Sequence, residues 1–541
     1  MKLRDYQLEA IDATNKSFAE HDRSMIVLPT GMGKTEIFVE IARQHATEER
    51  DNNRVMVVAP SIELVDQAAE KLLKRTGVNP GIEQGQRKSN EYSWGRSPFV
   101  VSCKPTLCGR SERFRRFDEI GLVVVDECHL AATQQYKVML DYFVDQGAKV
   151  LGVTATPKRH DRKAMANLFD TCPFEMHIAD AVPLGWLVPP VTQCIQIQSM
   201  DLSSVGSKAA GDFKDAELAR VLEDERVVFE IAEVTANESG NLKTVVFCAT
   251  VAEARAVAQR LADRHKLKAD WICSDTKLCT KERRQSVLQS FSGDPHGVQI
   301  VTNVGILTTG YDFPGLQHIV MGRPTKSLAL YTQMFGRGTR PLPGVVDFEG
   351  STPDARRDAI AGSDKPTFKV TDLYDNSSEH KLVGSFDVMA GEMGLDVVAR
   401  AKNDAMNGAE VSVDEALAKA QRELEQEKYR KRRAAVAARA RYERVEANPL
   451  DPNQAAPVAA RKPHRVRMPF GKHKGQPLSA VPSGYLRYIL DQSGKKSTWL
   501  TQAMAAELAA RGQMVASQQA ARRPVSLTER FSAMMAERSA S

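Results

Sequence analysis

A glycine-rich segment, Leu28–Thr35, constrains the fold of this 541-residue chain more than any other feature. The apolar run Met25–Leu28 has the composition of a buried strand, and Glu36–Gln44 has the pattern of an apolar helix. A strand, a glycine-rich turn and a helix in this order form a loop that binds phosphate groups. The segment therefore predicts an α/β domain with a nucleotide site. The consensus opens with glycine where this chain has Leu28, and the alternative is a chance glycine-rich turn.

Each residue type in this loop has a task. Gly31 and Gly33 let the backbone turn its N–H groups toward phosphate oxygens, and the start of the helix adds a favourable dipole. Lys34 is placed to reach the β and γ phosphates, and the hydroxyl of Thr35 to reach Mg²⁺. ATP and Mg²⁺ are therefore the expected ligands. The predicted nucleotide-binding residues of the loop are Pro29, Thr30, Gly31, Met32, Gly33, Lys34 and Thr35.

Two adjacent carboxylates follow a second apolar strand, Leu122–Val125. Asp126, at the strand end, can hold Mg²⁺ through water, and Glu127 can orient and deprotonate the attacking water. Acidic pairs after strands are common, so the pair alone is only moderate evidence. Its position downstream of the lysine loop makes an ATP-hydrolysis site the better interpretation.

Two arginines, Arg337 and Arg340, lie one helical turn apart in the segment Gln333–Arg340. Phosphoryl transfer builds negative charge on the γ phosphate, and an arginine finger stabilises that charge. A surface pair is the usual alternative. Because the segment follows a second set of strands, we expect it to reach across a cleft, with ATP between two domains.

Two sets of short β-branched runs predict parallel strands in two successive α/β domains. Pro189-Pro190 and the Asp201–Gly211 stretch mark the junction between them. The predicted strands are Met25–Leu28, Val55–Ala59, Phe99–Ser102, Leu122–Val125 and Val150–Val153, then Thr244–Cys248, Val298–Thr302 and His318–Met321.

Composition excludes a disordered chain, since hydrophobic residues make up 42% and charged residues 26%. No apolar run approaches the roughly 18 residues of a membrane span, and the first residues lack the apolar stretch of a signal peptide. The cytoplasm is the expected location. The eight cysteines form no C-x-x-C pair, so we expect free buried thiols.

These segments resemble the motifs of superfamily 2 helicases of the DExH type, with the box Asp126–His129. The resemblance covers about residues 1–385, and the branch of excision-repair helicases, phage branch-migration helicases and restriction-enzyme motor subunits is the most similar. One departure is Pro105, where the family has Gln. The matching segments are Leu3–Gln7, Val57–Gln67, Ser102–Leu107, Thr154–Pro157, Thr244–Thr250, Val301–Val304, Thr309–Pro314 and Gln333–Arg340.

The resemblance implies two tandem RecA-like domains and assigns roles to individual residues. Gln7 reads adenine while Arg4 packs near the base, and His129 couples hydrolysis to the nucleic acid. Gly310 and Asp312 contact the nucleotide from the second domain. The catalytic set is Lys34, Asp126, Glu127, His129, Gln333, Arg337 and Arg340.

Nucleic acid is expected to cross both domains through contacts to its phosphates, which carry no sequence information. The alternative for each candidate hydroxyl is a local cap at the end of an element. The candidates are Ser61, Thr106, Thr154, Thr250 and Thr302.

The C-terminal third changes in composition. Val411–Glu446 lacks Pro and Gly and predicts a long charged helix. The F-G-K-x-K-G-x-P-L pattern that follows resembles a small module of exonuclease X-type proteins. By this resemblance, Lys472 and Lys474 of this chain are candidate nucleic-acid contacts. A compact module with a merely solvated basic face, or one that binds a replication or repair protein, is the alternative. The predicted boundaries are 1–188 and 189–385 for the two domains, 386–447 for a helical extension, 448–460 for a linker, 461–522 for the module and 523–541 for a flexible tail.

Three functions remain open. An ATP-dependent DNA helicase or translocase, of 3′ to 5′ polarity by family resemblance and acting in replication, repair or recombination, is the main hypothesis. The location would then be the nucleoid, or a host cytoplasm if a phage encodes the chain. An RNA helicase is the second. An ATP-gated nucleic-acid-binding scaffold with a relic site is the third, and the complete set of ATP-site residues disfavours it.

Overall fold

The computed structural model describes residues 3–47, 53–89, 97–109, 112–131, 133–155, 165–208, 211–307, 313–375, 382–391, 393–406, 409–445, 468, 472–473, 476–492, 504–505 and 507–508. The chain divides into two compact parts, and the boundary falls after Gln426.

The first α/β domain is built on a seven-stranded parallel sheet in the order β3-β4-β2-β5-β6-β1-β7. Its central strands are mostly apolar because helices cover both faces, and all six residues of β2 are buried. The strands are β1 Arg23–Val27, β2 Arg54–Ala59, β3 Gly81–Glu83, β4 Phe99–Cys103, β5 Ile120–Asp126, β6 Lys149–Thr154 and β7 Thr171–Glu175. The helices are α1 Asp5–Ser17, α2 Lys34–Thr47, α3 Ile62–Thr76, α4 Lys104–Leu107, α5 Gln134–Val144 and α6 Ile178–Ala181.

The second domain also has seven strands, in the order β10-β11-β9-β12-β13-β8-β14. All pairs are parallel except β14 with β8. The strands are β8 Pro190–Gln196, β9 Thr244–Phe247, β10 Ala269–Cys273, β11 Ile300–Val304, β12 His318–Met321, β13 Phe368–Tyr374 and β14 Val411–Ser412. The helices are α7 Asp215–Leu222, α8 Glu225–Ser239, α9 Val251–His265, α10 Lys281–Gly293, α11 Leu328–Phe335, α12 Pro353–Ala361, α13 Ser385–Met389 and α14 Leu395–Ala405.

The predicted fold class is confirmed, and each of the eight predicted strands is present within a few residues of its expected ends. The sequence did not indicate β3, β7, β8, β10, β13 or β14. Several of these carry polar or partly exposed residues, as in Ala269-Asp270-Trp271 of β10. The pairing of β14 with β8 extends the second sheet beyond residue 385.

The predicted long charged helix is confirmed as α15, Val413–Val445. In the second compact part, α16 (Ser483–Gln492) packs a small core around Leu478, Val481 and Leu486. All eight cysteines are buried, as predicted. Within the described ranges, no helix is long and apolar enough to cross a membrane.

A buried ion pair joins α2 to α3 and makes the stability of the first domain depend on pH. The side chain of Glu40 is 7% exposed, and it accepts hydrogen bonds from Arg43 at 2.7 Å and Arg75 at 2.9 Å. The Arg43 and Arg75 guanidinium groups lower the pKa of Glu40 from 4.5 to about 2. Because the folded pKa is the lower one, the carboxylate stabilises the fold above about pH 5, and this contribution is lost as pH falls toward 2.

We expect Glu40→Gln to lower the free energy of unfolding at pH 7 by about 2 kcal/mol. The shift in pKa corresponds to about 3 kcal/mol, and the glutamine carbonyl recovers part of it. Urea unfolding at pH 7, 4.5 and 3 should show the difference from the parent shrinking toward low pH. Asp12→Asn, which removes an exposed pair with Lys16, should change the midpoint little. A difference that does not depend on pH would contradict the assignment.

Candidate active site

The glycine-rich loop connects β1 to α2 at the carboxyl edge of the first sheet. The Leu28 N–H donates to the Thr154 carbonyl at 3.0 Å, so the loop begins beside the end of β6. Gly31 and Gly33 have φ angles of +90° and +74°, which residues with a side chain rarely adopt. The loop thus reaches the start of α2, where backbone N–H groups favour an anion.

Lys34 is the first residue of α2, and its ammonium lies among the charged groups of the site. Its Nζ is 3.4 Å from the Leu28 carbonyl oxygen. Burial lowers the pKa of Lys34, the carboxylates of Glu127 and Asp126 oppose this shift, and the charges of Arg337 and Arg340 add to it. The loop lysine, the acidic pair and the two arginines therefore share one electrostatic environment.

The acidic pair ends β5 in a strained turn. Glu127 has φ of +45°, uncommon for a residue with a side chain, and its N–H donates to Asp126 Oδ1 at 2.9 Å. Burial and the neighbouring Glu127 raise the pKa of Asp126. Burial also acts upward on the pKa of Glu127, but Lys34 and His129 outweigh it and leave that pKa below its usual value. Glu127 is consequently the member of the pair best suited to remain ionised.

His129 connects the acidic box to the end of β6. Its Nδ1 lies 2.9 Å from Thr154 Oγ1 and 3.4 Å from Glu127 Oε2. The histidine and the threonine side chain are both buried. A change at Glu127 can therefore reach Thr154 through a single imidazole ring.

The segment that carries the paired arginines of the second domain packs directly on the glycine-rich loop. A Cβ placed on Gly31 would lie 2.6 Å from Arg340 Cγ, and one on Gly336 would lie 2.9 Å from the Thr30 Cβ. Burial lowers the pKa of Arg337 and of Arg340 to about 10, so both remain cationic at neutral pH. In the structure this segment of the second domain therefore lies against the loop of the first domain, as the sequence predicted.

The N-terminal segment lies against the same loop. The Tyr6 hydroxyl donates to the Met32 carbonyl at 2.8 Å, and Gln7 Nε2 donates to the same oxygen at 3.2 Å. Arg4 forms a two-point ion pair with Asp347 of the second domain, with Nε 2.7 Å and Nη2 3.1 Å from its oxygens. Gln7 is therefore beside the loop, as a base-reading residue must be, while Arg4 links the two domains.

The candidate hydroxyls fall into two groups. Ser61 and Thr106 are partly exposed. Ser61 precedes α3 without a capping bond from its side chain, whereas the Thr106 hydroxyl accepts from the Gly85 N–H at 3.3 Å. Thr302 is buried and donates to the Ala254 carbonyl, and Thr154 is buried against His129. Thr250 caps α9 in a reciprocal box with Glu253. For Thr154, Thr250 and Thr302 the geometry favours the local structural role over direct contact with a strand.

A cavity of about 350 Å³ separates the acidic box from α11 of the second domain. It brings Ser61, His129 and Gln333 to one space, although they come from three separate motifs. The lining residues are Pro60, Ser61, Leu64, Glu127, His129, Leu130, Ser327, Ala329, Leu330 and Gln333.

The oxygen atoms available as metal ligands near the loop suit Mg²⁺. The Thr35 hydroxyl and the Asp126 carboxylate are hard oxygen ligands, and Mg²⁺ takes few protein ligands because it keeps water and binds substrate phosphates. In the part of the chain that the structure covers, no group of three or more His, Cys, Asp or Glu residues forms a separate metal site.

Gly310, Asp312 and Lys474 lie outside the described residues, as do Thr156 and Pro157 of the segment that follows β6. Lys472 is exposed in the C-terminal module, where its N–H donates to the Tyr485 hydroxyl at 3.2 Å. These positions keep the roles given to them as predictions.

Three residues near the nucleotide loop were not expected. Trp186, in the connection between the domains, stacks with Arg356 at 3.7 Å and meets the Tyr6 ring edge-on. Asp347 binds Arg4 from a loop with no motif, and Lys365 binds the carbonyl of Arg340. None of these three residues lies inside a recognised segment, and each contacts a residue far away in sequence.

The chain has two tandem, mainly parallel sheets, and Arg340 of the second domain lies against the phosphate loop of the first domain. This arrangement defines a two-domain RecA-like nucleotide motor. Residues 1–159 match the family model of the type III restriction enzyme res subunit, and residues 226–341 match the helicase conserved C-terminal domain. The chain therefore belongs to the superfamily 2 helicases, an ATP-hydrolysing class, in the branch of restriction-enzyme motors and repair helicases.

Individual relatives agree with this. The putative ATP-dependent helicase IRC3 of Saccharomyces cerevisiae is 29% identical over 368 residues, which cover 65% of this chain and 52% of that protein. The DNA 3′-5′ translocase XPB2 of Sulfurisphaera tokodaii is 30% identical over 167 residues, 30% of this chain and 33% of that one. The DNA-bound restriction-modification enzyme LlaBIII shares the fold, with a TM-score of 0.51, 16% identity and coverage of 70% of this chain and 28% of that chain. The chain thus spans 44% to 56% of the length of three of the curated relatives that it matches.

Proposed function

We propose that this protein is a DNA helicase or translocase that couples the hydrolysis of Mg-ATP to movement along DNA, with 3′ to 5′ polarity. The observation that carries the proposal is the contact of Arg340 with Gly31, which puts a second-domain arginine on the phosphate loop of the first. A site that closes only when two domains meet converts nucleotide binding into domain movement.

In this proposal each group of the site has a separate task. Lys34 and the N–H groups of the loop bind the β and γ phosphates, and Arg337 and Arg340 stabilise the charge that develops on the γ phosphate. Glu127 accepts a proton from the attacking water. Thr35 and Asp126 would hold Mg²⁺, which supplies positive charge at the phosphate oxygens when bound.

Coupling would run from Glu127 through His129 to Thr154 and the cavity toward α11. Loss of the γ phosphate changes the charge facing Glu127, and the imidazole of His129 passes this change to the end of β6. Gln333 faces the same cavity from the second domain. Ser61 at the cavity rim and Thr106 remain the best-placed hydroxyls for phosphates of the strand.

DNA is preferred to RNA because a relative described as a DNA 3′-5′ translocase matches the chain, as do two endonuclease subunits of type I restriction enzymes. The description of XPB2 also supports the proposed polarity. RNA is the second candidate, since the chain also resembles a protein described as an ATP-dependent RNA helicase over 176 residues. The intact set of charged residues disfavours an inert scaffold.

The test is ATP hydrolysis at one salt concentration without polynucleotide and with single-stranded DNA, forked DNA or single-stranded RNA. Strong stimulation by DNA and not by RNA would support the proposal and lead to strand-displacement assays with 3′ and 5′ tails. Stimulation by RNA alone would make RNA the substrate in place of DNA. No hydrolysis under any condition would overturn the motor function for the chain in isolation.

The C-terminal module is proposed as a second nucleic-acid contact. Tyr488 is 57% exposed, Tyr485 lies beside it at 6.5 Å between ring centroids, and Lys472 is exposed on the same module. Aromatic rings beside basic side chains can stack unpaired bases while the charges contact phosphates.

We expect Tyr488→Ala to weaken single-stranded DNA binding by roughly 10- to 100-fold, since one stacked base is worth about 1–3 kcal/mol. Lys472→Gln should reduce the slope of log affinity against log salt by about 0.7. Fluorescence anisotropy in a salt series measures both, and Tyr429→Ala is the matched control because Tyr429 is an exposed tyrosine on α15. Unchanged binding by both module variants would assign the module to protein contacts.

A further inference from the structure

A buried lysine that belongs to none of the sequence motifs contacts the backbone of Arg340. Lys365, between α12 and β13, is 1% exposed. Its ammonium donates to the Pro314 carbonyl at 2.7 Å and to the Arg340 carbonyl at 2.8 Å. One side chain thus joins two segments that are 26 residues apart in the chain, 314 and 340.

Burying an ammonium group is unfavourable unless its donors find acceptors. Lysine is among the residues least often fully buried. Burial, together with the nearby positive charge of Arg340, lowers the pKa of Lys365 to about 7. Protonated or neutral, the amine keeps at least two N–H donors for its two carbonyl partners.

The two carbonyls belong to segments that are predicted to serve the nucleotide. Arg340 contacts Gly31 of the phosphate loop, and Pro314 is the last residue of Thr309–Pro314, in which Gly310 and Asp312 are predicted nucleotide contacts. The bond to Arg340 is made at its own backbone, so it restricts where the guanidinium can be placed.

We propose that Lys365 is a positioning residue that fixes the backbone of Arg340 to that of Pro314, so that the Arg340 guanidinium is held in one place when the domains close. The inference rests on the proposed ATP hydrolysis. Because the arginine acts on charge that develops in the transition state, a misplaced guanidinium should lower kcat more than it raises KM for ATP.

The test is a double-mutant cycle of Lys365→Met and Arg340→Ala, with steady-state ATP hydrolysis in the full chain. Methionine keeps the length of the side chain and removes its donors. We expect Lys365→Met alone to lower kcat by about 10- to 100-fold, since a displacement of about 1 Å can cost 10². In the Arg340→Ala background the same change should lower kcat little further, and Lys365→Arg, which keeps donors, should recover part of the loss.

Lys243→Met is the matched control. Lys243 also donates to two backbone carbonyls of the second domain, those of Asp294 at 3.0 Å and Val298 at 2.8 Å. A fall in kcat with Lys365→Met that exceeds the control and disappears in the Arg340→Ala background supports the inference. Equal losses for the two lysines, or independent losses in the cycle, overturn it.

Two further outcomes are separated by measurements on the same preparations. If the parent hydrolyses no ATP, the proposed function fails before the lysine is tested. If Lys365→Met does not fold, as judged by circular dichroism and the thermal midpoint, Lys365→Gln takes its place in the cycle, because the shorter glutamine side chain is polar but cannot reach both carbonyls. A glutamine variant that keeps the parental kcat and KM would then overturn the inference.

Discussion

Glu127→Gln is expected to lower the rate of ATP hydrolysis by about 10²- to 10⁴-fold while ATP still binds, the range that a general base supplies. The strained backbone of Glu127 and its hydrogen bond to Asp126 hold the carboxylate in one orientation. Its pKa is lowered by Lys34 and His129 against the effect of burial, so the carboxylate is ionised at neutral pH. The amide that replaces it keeps the shape but cannot act as a base.

Steady-state hydrolysis with saturating polynucleotide measures the rate, and titration with a fluorescent ATP analogue measures binding. Glu36→Gln is the control, because Glu36 lies on the first turn of α2 and its carboxylate faces Lys71 at 3.5 Å. Parental hydrolysis by the Glu127 variant would refute the mechanism and revive the interpretation as an ATP-gated scaffold.

Arg340→Ala is expected to reduce kcat by about 10³-fold or more, the lower end of what an arginine finger contributes. The structure places Arg340 on the loop that must hold the phosphates, and its guanidinium remains charged at neutral pH. Arg340→Lys should restore only part of the rate, since an ammonium lacks the planar fork that binds two phosphate oxygens.

The matched control for this prediction is Arg260→Ala on α9, which removes a surface pair with Glu225 in the same domain. Single-turnover hydrolysis with bound nucleotide separates the chemical step from ATP affinity. A variant without Arg340 that keeps the parental rate constant would show that the contact with Gly31 only joins the domains.

The motif chemistry could be predicted from the sequence because it is local. Lys34 and Thr35 follow a glycine-rich turn between a strand and a helix, which favours a phosphate loop, and the acidic pair lies at the end of a strand that its apolar residues predict. The eight predicted strands were recognisable for the same reason, since burial on both faces favours β-branched and other apolar residues.

Contacts between distant segments could not be predicted in this way. Nothing in the sequence around Asp347 indicates that it binds Arg4. In the sequence Lys365 cannot be distinguished from a surface lysine, although its side chain is buried in the fold. For the hydroxyl residues, the sequence predicted contacts that the structure does not favour. Thr302 lies in a recognised motif, but its position in the middle of β11 turns the side chain inward to the Ala254 carbonyl.

The burial of all eight cysteines has a practical consequence for watching this motor at work. The thiolate is the form that reacts with maleimides, and burial raises the pKa of Cys108 to about 11 and that of Cys194 to about 12. The native thiols should therefore stay unlabelled while the chain is folded. A pair of cysteines introduced on the surfaces of the two domains would accept donor and acceptor dyes selectively, and opening and closing could be followed in single molecules without first removing the natural cysteines.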